Sequence, residues 1–453
     1  MNIVIAGAGK VGYTVAEQLN REKHDLTIIE NDHEKLTRVT NEMDVYAFEG
    51  NAGSLSVLKD AGVGNADVFI AVTGEDEVNM VSCLMAKRLG AKHTMARIRN
   101  PEYMKDEAEM KEMLGLSLAL NPDKLAAEEI SQILQFPTAA RMESFPYSNL
   151  HIITYKVPIG SILHQLDMTE LGRHYGGKIL ICAIERGEKI IIPNGQDQIL
   201  EGDHISVVGT QHDLRHFFMK VHAYKQPVKN AIIMGGSRLG VYLSILLDKA
   251  GMDVTLIEKD PARCEYLADL LRQVDVLCAD GSKSSFLHEI GIEDADAFVT
   301  LTGSDEENII LSMYASKVGV KKVITKINEA KFEEMVGDAF LDTAVSPKIL
   351  IAQKIIGRIR AYRNSARSST VEALYYLSGD RVEALEFIVG PESHCINIPL
   401  RDLKIRSGIL LASVVRDGKG HVPDGKTEIR EGDRVVVVTA EKGITDLDSI
   451  LED

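Results

Sequence analysis

The first thirty residues, MNIVIAGAGKVGYTVAEQLNREKHDLTIIE (residues 1–30), decide the fold. A short apolar run leads into the glycine loop Gly7-Ala8-Gly9-Lys10-Val11-Gly12 (residues 7–12), and an amphipathic run and a second apolar run ending on Glu30 follow. This order of strand, glycine loop, helix, strand and acid is typical of a dinucleotide-binding βαβ unit. The loop lets the backbone approach a pyrophosphate, and the helix N-terminus attracts its charge. Glu30 follows the loop at about 20 residues, where a carboxylate can accept hydrogen bonds from a ribose.

The overall composition narrows the class of protein. At 453 residues, the chain is long enough for roughly three or four domains. Its formal net charge of −16 argues against a general nucleic-acid binder, because neutralising phosphates supplies most of the non-specific affinity. The cysteines form no CxxC pair and no metal-ligand spacing, so we predict no metal site. We expect a cytoplasmic protein with no signal peptide and no membrane span.

The glycine loop occurs twice in the chain. Residues 231–234 form a second apolar run, which is followed by Gly235-Gly236-Ser237-Arg238-Leu239-Gly240 (residues 235–240) and then, at the same spacing as in the first copy, by Glu258. Each copy also carries the signature TGxDExN, at residues 73–79 and again at residues 302–308. The chain is therefore predicted to be a tandem repeat, and repeats of this kind decide the whole architecture.

A shorter, strand-rich segment follows each glycine-loop segment, from about Arg141 and again from about Thr370. These segments also match each other, with IPNG at residues 192–195 and VPDG at residues 422–425. The Asn-Gly and Asp-Gly pairs within them predict hairpin turns.

We therefore predict an α/β chain with two tandem Rossmann-like parallel-sheet N-lobes, each followed by a small β-rich α+β C-lobe. The predicted bounds are 1–120 for the first N-lobe, 121–140 for a connecting helix, 141–225 for the first C-lobe, 228–345 for the second N-lobe, 346–369 for a connecting helix and linker, and 370–453 for the second C-lobe.

Two glycine-loop N-lobes, each with the acidic strand end and the TGxDExN signature and each followed by a β-rich lobe, resemble the tandem RCK proteins, which combine KTN and TrkA-C domains. More closely, the chain resembles the peripheral regulatory subunits of Trk-type potassium uptake systems, over nearly all of its length and in the same order. The resemblance implies a non-enzymatic subunit that binds NAD or NADH, ATP or ADP. It also implies a homo-oligomeric ring, typically a tetramer, on the cytoplasmic face of an integral-membrane potassium transporter, whose gate it controls.

The resemblance also implies two nucleotide sites. In the first site, the phosphates would be surrounded by the glycine loop, which consists of Gly7, Ala8, Gly9, Lys10, Val11 and Gly12. Glu30 would bind the ribose, and the adenine would lie near Asn51 and Ala52. The pocket would be closed by Thr73 and Gly74, and Arg97 would donate to phosphate. The second site would use Gly235, Gly236, Ser237, Arg238, Leu239, Glu258, Asp280, Thr302 and Lys326.

Several residues of these sites allow more than one interpretation. Ser237 replaces the second glycine of the motif, so that either its hydroxyl donates to phosphate or its side chain weakens binding. The second site therefore binds either the same nucleotide as the first or a different one. Lys10 and Arg238 are either solvated charges or contacts to a pyrophosphate or a neighbouring subunit. A carboxylate at Glu30 disfavours NADP, because the 2′-phosphate would meet a like charge.

The signature residues outside the predicted sites have structural interpretations. Asp76 and Asp305 are predicted to cap the helices that begin there, and Asn79 and Asn308 are predicted to hold the turn.

Two other functions are compatible with the glycine loops. The first is an NAD-dependent oxidoreductase, although no evident catalytic set follows either N-lobe. The second is a structural scaffold with vestigial pockets, which the intact first loop and Glu30 argue against.

Overall fold

The structure is a computed structural model, and it describes residues 1–145, 149–175, 178–329, 342–364, 370–377, 381–444 and 446–452. Residues 365–369 of the predicted linker lie outside the described residues. In the part of the chain that is described, the elements form two parallel and two antiparallel sheets.

The first N-lobe is a parallel sheet with helices on both faces. Its strands are β1 (Asn2–Ala6), β2 (Asp25–Glu30), β3 (Tyr46–Glu49), β4 (Val68–Ala71), β5 (His93–Arg97) and β6 (Leu118–Leu120). Its helices are α1 (Lys10–Arg21), α2 (His33–Glu42), α3 (Leu55–Asp60), α4 (Asp76–Leu89) and α5 (Glu107–Leu114), and α6 (Pro122–Gln135) follows. The strand order β3-β2-β1-β4-β5-β6 is that of a dinucleotide-binding doubly wound fold, in which ligands bind at the carboxyl ends of the strands.

The first C-lobe is a five-stranded antiparallel sheet in the order β10-β9-β11-β8-β7. Its elements are β7 (Arg141–Ser144), β8 (Leu150–Lys156), α7 (Met168–His174), β9 (Leu180–Arg186), β10 (Lys189–Ile191), β11 (His204–Thr210) and α8 (Gln211–Lys220). One face of this sheet packs on α8, whose Leu214, Phe217 and Phe218 are buried.

The second half of the chain repeats both architectures. The second N-lobe consists of β12 (Asn230–Met234), α9 (Arg238–Lys249), β13 (Asp253–Glu258), α10 (Pro261–Leu270), β14 (Asp275–Cys278), α11 (Ser284–Glu289), β15 (Ala297–Thr300), α12 (Asp305–Val318), β16 (Lys322–Lys326) and β17 (Thr343–Val345). Helix α13 (Pro347–Asn364) leads to the second C-lobe, with β18 (Thr370–Leu377), β19 (Val382–Ile388), β20 (Ile409–Arg416), β21 (Lys419–His421) and β22 (Arg434–Thr439). The sheet orders are β14-β13-β12-β15-β16-β17 and β18-β19-β22-β20-β21.

The two halves exchange their connecting helices. Helix α6, which follows the first N-lobe, buries Ala126, Ile130 and Leu134 in the core of the second N-lobe, alongside α9. Helix α13, which follows the second N-lobe, buries residues such as Ile351 and Ile355 in the core of the first N-lobe, alongside α1. Each N-lobe core is therefore completed by a helix from the other half of the chain.

The two C-lobe sheets also share a core. Ile152, Ala183 and Val208 of the first sheet pack with residues such as Ala384 and Val436 of the second. The halves of the chain thus meet at both their N-lobes and their C-lobes.

The predicted hairpin turns are wrong. Strand β10 pairs with β9 through a turn at Gly187, and β21 pairs with β20 through a turn at Asp417 and Gly418, both of which have positive φ. Asn194-Gly195 instead lies in the long connection between β10 and β11, where the Gly195 carbonyl accepts a hydrogen bond from Thr169 N at 3.2 Å. The turn dipeptide therefore supports the start of α7.

None of the helices in the described ranges is long and apolar enough to cross a membrane.

Candidate functional site

The first glycine loop is held in one shape by close backbone contacts. Gly7 has a φ of +105°, a conformation that side chains other than glycine rarely adopt. A Cβ on Gly12 would lie 1.8 Å from the Gly7 carbonyl oxygen. A Cβ on Gly9 would meet no protein atom within 4 Å, so that this residue borders open space. Gly9 also provides no side-chain cap to α1, which leaves the first-turn N–H groups of the helix available to an anion.

Glu30 is buried beneath the loop and fixed by three backbone donors. Its Oε2 accepts a hydrogen bond from Ala8 N at 2.6 Å, and its Oε1 accepts from Asn31 N at 3.0 Å and Asp32 N at 3.1 Å. An ionised carboxylate has about four acceptor positions, so this one retains capacity for a ribose hydroxyl. The bond to Ala8 couples the acid to the glycine loop.

Asn79 joins the ends of strands β4 and β5. Its Oδ1 accepts from Thr73 N at 2.8 Å and from Thr73 Oγ1 at 2.7 Å, and its Nδ2 donates to the Arg97 carbonyl at 2.9 Å. Asn308 makes the same bonds to Thr302 N and to the Lys326 carbonyl. The predicted turn-holding role of both asparagines is confirmed.

The predicted helix-capping role of the two signature aspartates is wrong. Asp76 Oδ2 accepts from Arg99 N and Asn100 N, both at 2.7 Å, and the N-cap position of α4 belongs to Glu75. Asp305 Oδ2 likewise accepts from Asn328 N and Glu329 N, both at 2.9 Å. These carboxylates fix the loops that follow β5 and β16, because those loops pass over the helix starts.

The two basic residues at the next strand ends point at backbone carbonyls. Arg97 Nη2 donates to the Thr73 carbonyl, and burial, with the nearby Arg99 charge, lowers the pKa of Arg97 to about 10. Lys326 Nζ donates to the Thr302 carbonyl at 2.6 Å, and burial lowers the pKa of this lysine. Each cation thus stabilises a strand end that borders one of the two pockets.

The first pocket opens into a cleft between the two N-lobes. The cavity measures about 590 Å³, within the usual range for a cofactor site. Its lining includes Glu30, Asn51, Ala52, Thr73 and Gly74, together with residues from the second half of the chain. The basic residues that line it are Lys10, Lys35, Arg97, Arg99, Arg238, Lys326 and Lys348.

The charges of this cleft are only partly neutralised by acids. Lys10 Nζ lies 2.6 Å from Glu329 Oε1, and Arg238 Nε lies 3.5 Å from Asp123 Oδ2. Lys35 and Arg99 also have acidic partners, at 2.9 Å and 3.8 Å, so the net positive charge comes from the remaining basic residues. Burial and repulsion from Lys10 lower the pKa of Lys348 to about 8. An excess of positive charge between low-dielectric walls concentrates anions, so the cleft suits a polyphosphate.

The second pocket is smaller, and its lining comes entirely from the second N-lobe. It measures about 340 Å³ and contains Gly235, Gly236, Ser237, Glu258, Asp280 and Thr302. Glu258 repeats the bonding of Glu30, with Oε2 accepting from Gly236 N at 2.9 Å and Oε1 accepting from Lys259 N and Asp260 N. Ser237 caps α9, because its Oγ accepts from Gly240 N at 3.4 Å. One donor of the helix terminus is therefore already used.

Arg238 and Lys326, which were predicted for the second site, line the first pocket instead, and the remaining predicted residues shape the turns and helix starts around the pockets. Asn51 Oδ1 accepts from Gly53 N at 2.7 Å and shapes the turn after β3. Asp280 holds the corresponding turn through Ser282, and hydrogen bonds from Ser282 lower the pKa of Asp280. Leu239 is buried on α9, outside the second pocket's lining, so its part in that site is structural.

Sequence reasoning missed two residues that the connecting helices contribute to the first pocket. Asp123 and Lys348 follow the Asn-Pro and Ser-Pro starts of α6 and α13, which the repeat marks as equivalent. Their position at the opposite glycine loop follows from the helix exchange, which has no local signal in the sequence. Across the described ranges, no group of three His, Cys, Asp or Glu residues is arranged to hold a metal ion.

The fold and the two sites define a tandem protein of the RCK type, in which a Rossmann-like lobe with a glycine loop and a buried acid alternates with a small β lobe. The model of the TrkA-N domain matches residues 3–122 and 231–347, and that of the TrkA-C domain matches residues 152–222 and 384–452. The chain belongs to the TrkA family of Trk system potassium uptake proteins.

Relatives match the chain along nearly its whole length. It is 34% identical over 451 residues to Trk system potassium uptake protein TrkA homolog 1 of Methanosarcina mazei, covering 96% of this chain and 97% of the relative. It is 28% identical to Trk system potassium uptake protein TrkA of Haemophilus influenzae, covering 98% of this chain and 96% of that protein.

Solved structures share the fold at low sequence identity. The RCK domain of GsuK superposes with a TM-score of 0.63 at 17% identity, covering 96% of this chain and 92% of that chain. The GsuK channel bound to NAD gives a TM-score of 0.63 at 16% identity, covering 97% of this chain and 76% of that one.

Proposed function

We propose that the chain is a regulatory subunit that binds an adenine nucleotide or NAD(H) in the cleft between its N-lobes and gates a potassium transporter. The observation that carries this proposal is the shared lining of the first pocket. A ligand on the first glycine loop faces Arg238, Lys326 and Lys348 from the second half of the chain. The affinity of this ligand therefore depends on the relative position of the two N-lobes. A ligand shifts a conformational equilibrium by its differential affinity for the two states.

The first pocket offers a separate group for each part of a nucleotide. The N-terminus of α1 would receive phosphates, Glu30 would accept from the ribose, and Asn51 and Ala52 would border the adenine. Lys10 and Lys348 would attract a terminal phosphate. Glu30 disfavours a 2′-phosphate, so NAD and NADH fit better than their phosphorylated forms.

The output of the pocket would be a change of shape. The curated relatives are named for the Trk potassium uptake system, and the channel with the same fold carries NAD in one of its structures. By this proposal the subunit lies on the cytoplasmic face of the membrane, assembles as a homotetrameric ring, and leaves the nucleotide chemically intact. A coupling free energy of about 1–3 kcal/mol per site, summed over a ring, is enough to shift a gate.

The first test is calorimetry with ATP, ADP, NAD and NADH on the wild-type chain and on Glu30→Arg. We expect the variant to lose binding by about 100-fold or more, because it removes the ribose acceptor and the bond to Ala8. Glu258→Arg is the matched control, which should spare the first pocket. Unchanged affinity in Glu30→Arg would contradict the site.

The second test concerns the partner. The tagged chain is used to recover proteins from membranes with each nucleotide in turn, and we expect a potassium transporter in amounts that depend on the nucleotide. Absence of any such protein in every condition would contradict the proposed partner. Substrate-dependent consumption of NADH by the pure chain would support an oxidoreductase instead.

A further inference from the structure

Two cysteines flank the ribose-binding acid of the second pocket. Cys264 is buried on α10, and its Sγ donates to the Glu258 carbonyl oxygen at 3.3 Å. Cys278 is exposed at the end of β14 and is the register partner of Glu258 in the parallel pair β13–β14. Both thiols therefore lie beside one residue, although they are 14 positions apart in the sequence.

The strand pattern places both thiols on the same face of the sheet. Leu256 and Val276 pack in one core with Leu267 of α10, so that face of the sheet is the one covered by α10. Cys278 comes two residues after Val276 and points to the same face, because side chains alternate along a strand. Burial and the neighbouring Cys278 thiol raise the pKa of Cys264 to about 12.

The first N-lobe lacks this pair. Leu36 stands on α2 four residues after the N-cap Asp32, as Cys264 stands four residues after the N-cap Asp260 on α10. Glu49 is the register partner of Glu30 in β2–β3, the place that Cys278 takes in the second copy. The dithiol is thus a property of the second pocket alone, within the same scaffold.

We propose that Cys264 and Cys278 form a redox-modification site, in which hydrogen peroxide oxidises them to a disulfide that changes nucleotide binding in the second pocket. Cys278 reacts first because it is exposed and Cys264 is buried, and an accessible thiolate is the reactive species. Reversible disulfides in reducing compartments are typically sensors of this kind.

The chemistry is balanced by one equivalent of peroxide. The Cys278 thiolate attacks one peroxide oxygen, the O–O bond breaks, and the second oxygen leaves as hydroxide and takes a proton to become water. The Cys264 sulfur then attacks the sulfenic acid sulfur, the S–O bond breaks, and the Cys264 proton leaves with the hydroxide as a second water. Two thiols lose two electrons, and the peroxide gains them.

A disulfide would act directly on the pocket. Arg263 and Ala279, the chain neighbours of the two cysteines, both line the cavity, and Arg263 Nε donates to the Gly236 carbonyl at 2.9 Å. Forming the S–S bond takes Cys264 Sγ away from the Glu258 carbonyl and ties α10 to the end of β14. The effect on affinity rests on the proposed nucleotide-binding function, whereas the modification itself does not.

The modification is tested with hydrogen peroxide on the full chain, followed by tryptic digestion without reductant and mass spectrometry. Cleavage after Arg263, Arg272 and Lys283 separates the two cysteines into peptides 264–272 and 273–283. We expect these peptides to be linked after oxidation and separated by a dithiol reductant, with no link in Cys278→Ala or Cys264→Ala. Absence of the linked pair, or only sulfinic and sulfonic acids on Cys278, would overturn the proposal.

The effect on binding is tested by calorimetry with ATP and NADH on the reduced and the oxidised chain, in a Glu30→Arg background that leaves the second pocket to be measured. We expect the dissociation constant to differ by about fivefold between the reduced and the oxidised chain. Cys278→Glu, which introduces the residue that the first lobe has at this position, should have the same dissociation constant before and after oxidation. Equal affinities despite a linked peptide pair would overturn the regulatory role. No binding in either redox state would contradict the proposed function at this pocket, a result distinguishable from a missing disulfide.

Discussion

The two N-lobes share a strand order and a carboxylate bonded to the glycine loop, yet the surroundings of the two glycine loops differ. In the first lobe Gly9 borders open space, and Lys348 arrives from α13 beside Lys10. In the second lobe Ser237 caps its own helix, and Asp123 arrives from α6 to pair with Arg238. The scaffold is the same in both copies, whereas the charge and the free donors differ. The comparison teaches that the exchanged helices distinguish the two pockets as much as the loops do.

Substitutions at the last glycine of each loop should have the largest effect, and this effect should be on stability. Gly12→Ala places a Cβ 1.8 Å from the Gly7 carbonyl, and Gly240→Ala places one 2.4 Å from the Gly235 carbonyl. We expect both to reduce the free energy of unfolding by roughly 3 kcal/mol or more, with Gly12→Ala the more severe. Urea denaturation checks this. Gly172→Ala in α7, where an added Cβ meets nothing within 4 Å, is the control that should keep full stability.

Changing the charges that α6 and α13 carry should alter binding in the first pocket and leave the second pocket unchanged. Lys348→Asp is expected to weaken ATP binding in the first pocket by about tenfold, and Asp123→Lys to strengthen it by a similar factor, because both positions line that pocket and neither lines the second. Calorimetry at low and high salt is the measurement, because screening should shrink both changes. If Lys348→Asp leaves the first affinity unaltered, α13 does not contribute to phosphate binding.

Substitutions at the second glycine position of each loop should change nucleotide affinity by a smaller factor. Gly9→Ser is expected to weaken nucleotide binding at the first site by about fivefold, because a side-chain cap uses a helix donor and fills the open space. Ser237→Gly is expected to strengthen binding at the second site by a similar factor. Titration of each variant with NADH and ATP tests this pair, and shifts of the same sign in both variants would contradict the interpretation.

The smallest expected difference between the pockets is a pH dependence of nucleotide affinity at the first one. The pKa of Lys348 is about 8, below its ordinary value, so the free protein carries this charge below pH 8 and loses it as the pH rises. A bound polyphosphate favours the charged form, and affinity at the first pocket should fall by about threefold between pH 7 and pH 8.5. Lys348→Arg keeps its charge and should remove this trend. A wild-type profile that stays flat would contradict the role of the lysine.

Local signals in the sequence predicted the architecture of the N-lobes well. The glycine loop and Glu30 act within one βαβ unit, so their spacing alone indicates the contact between Glu30 and the loop. The capping role assigned to Asp76 failed because its partners, Arg99 and Asn100, lie on a loop more than twenty residues away. Tertiary contacts of this kind leave no pattern in the neighbouring residues.

The hairpin turns show a different limit of sequence reasoning. Asn194-Gly195 carries a turn signal, and the hairpin of the second C-lobe uses Asp417-Gly418, which carries the same kind of signal. A turn dipeptide indicates a reversal of the chain and does not identify the strands that flank it. The pairing of β11 with both β8 and β9 is what decides which dipeptide closes a hairpin.

The exchange of α6 and α13 makes the polypeptide a fused pair. Each half leaves an apolar groove on its own N-lobe and carries the helix that fills the other's groove, so that neither half buries its core alone. The junction at residues 225–227 is exposed. A protease that cuts there would produce two fragments that remain bound to each other. The two fragments should copurify and refold together. In the intact chain, the covalent junction ensures that each first half pairs with one second half and not with another copy of itself.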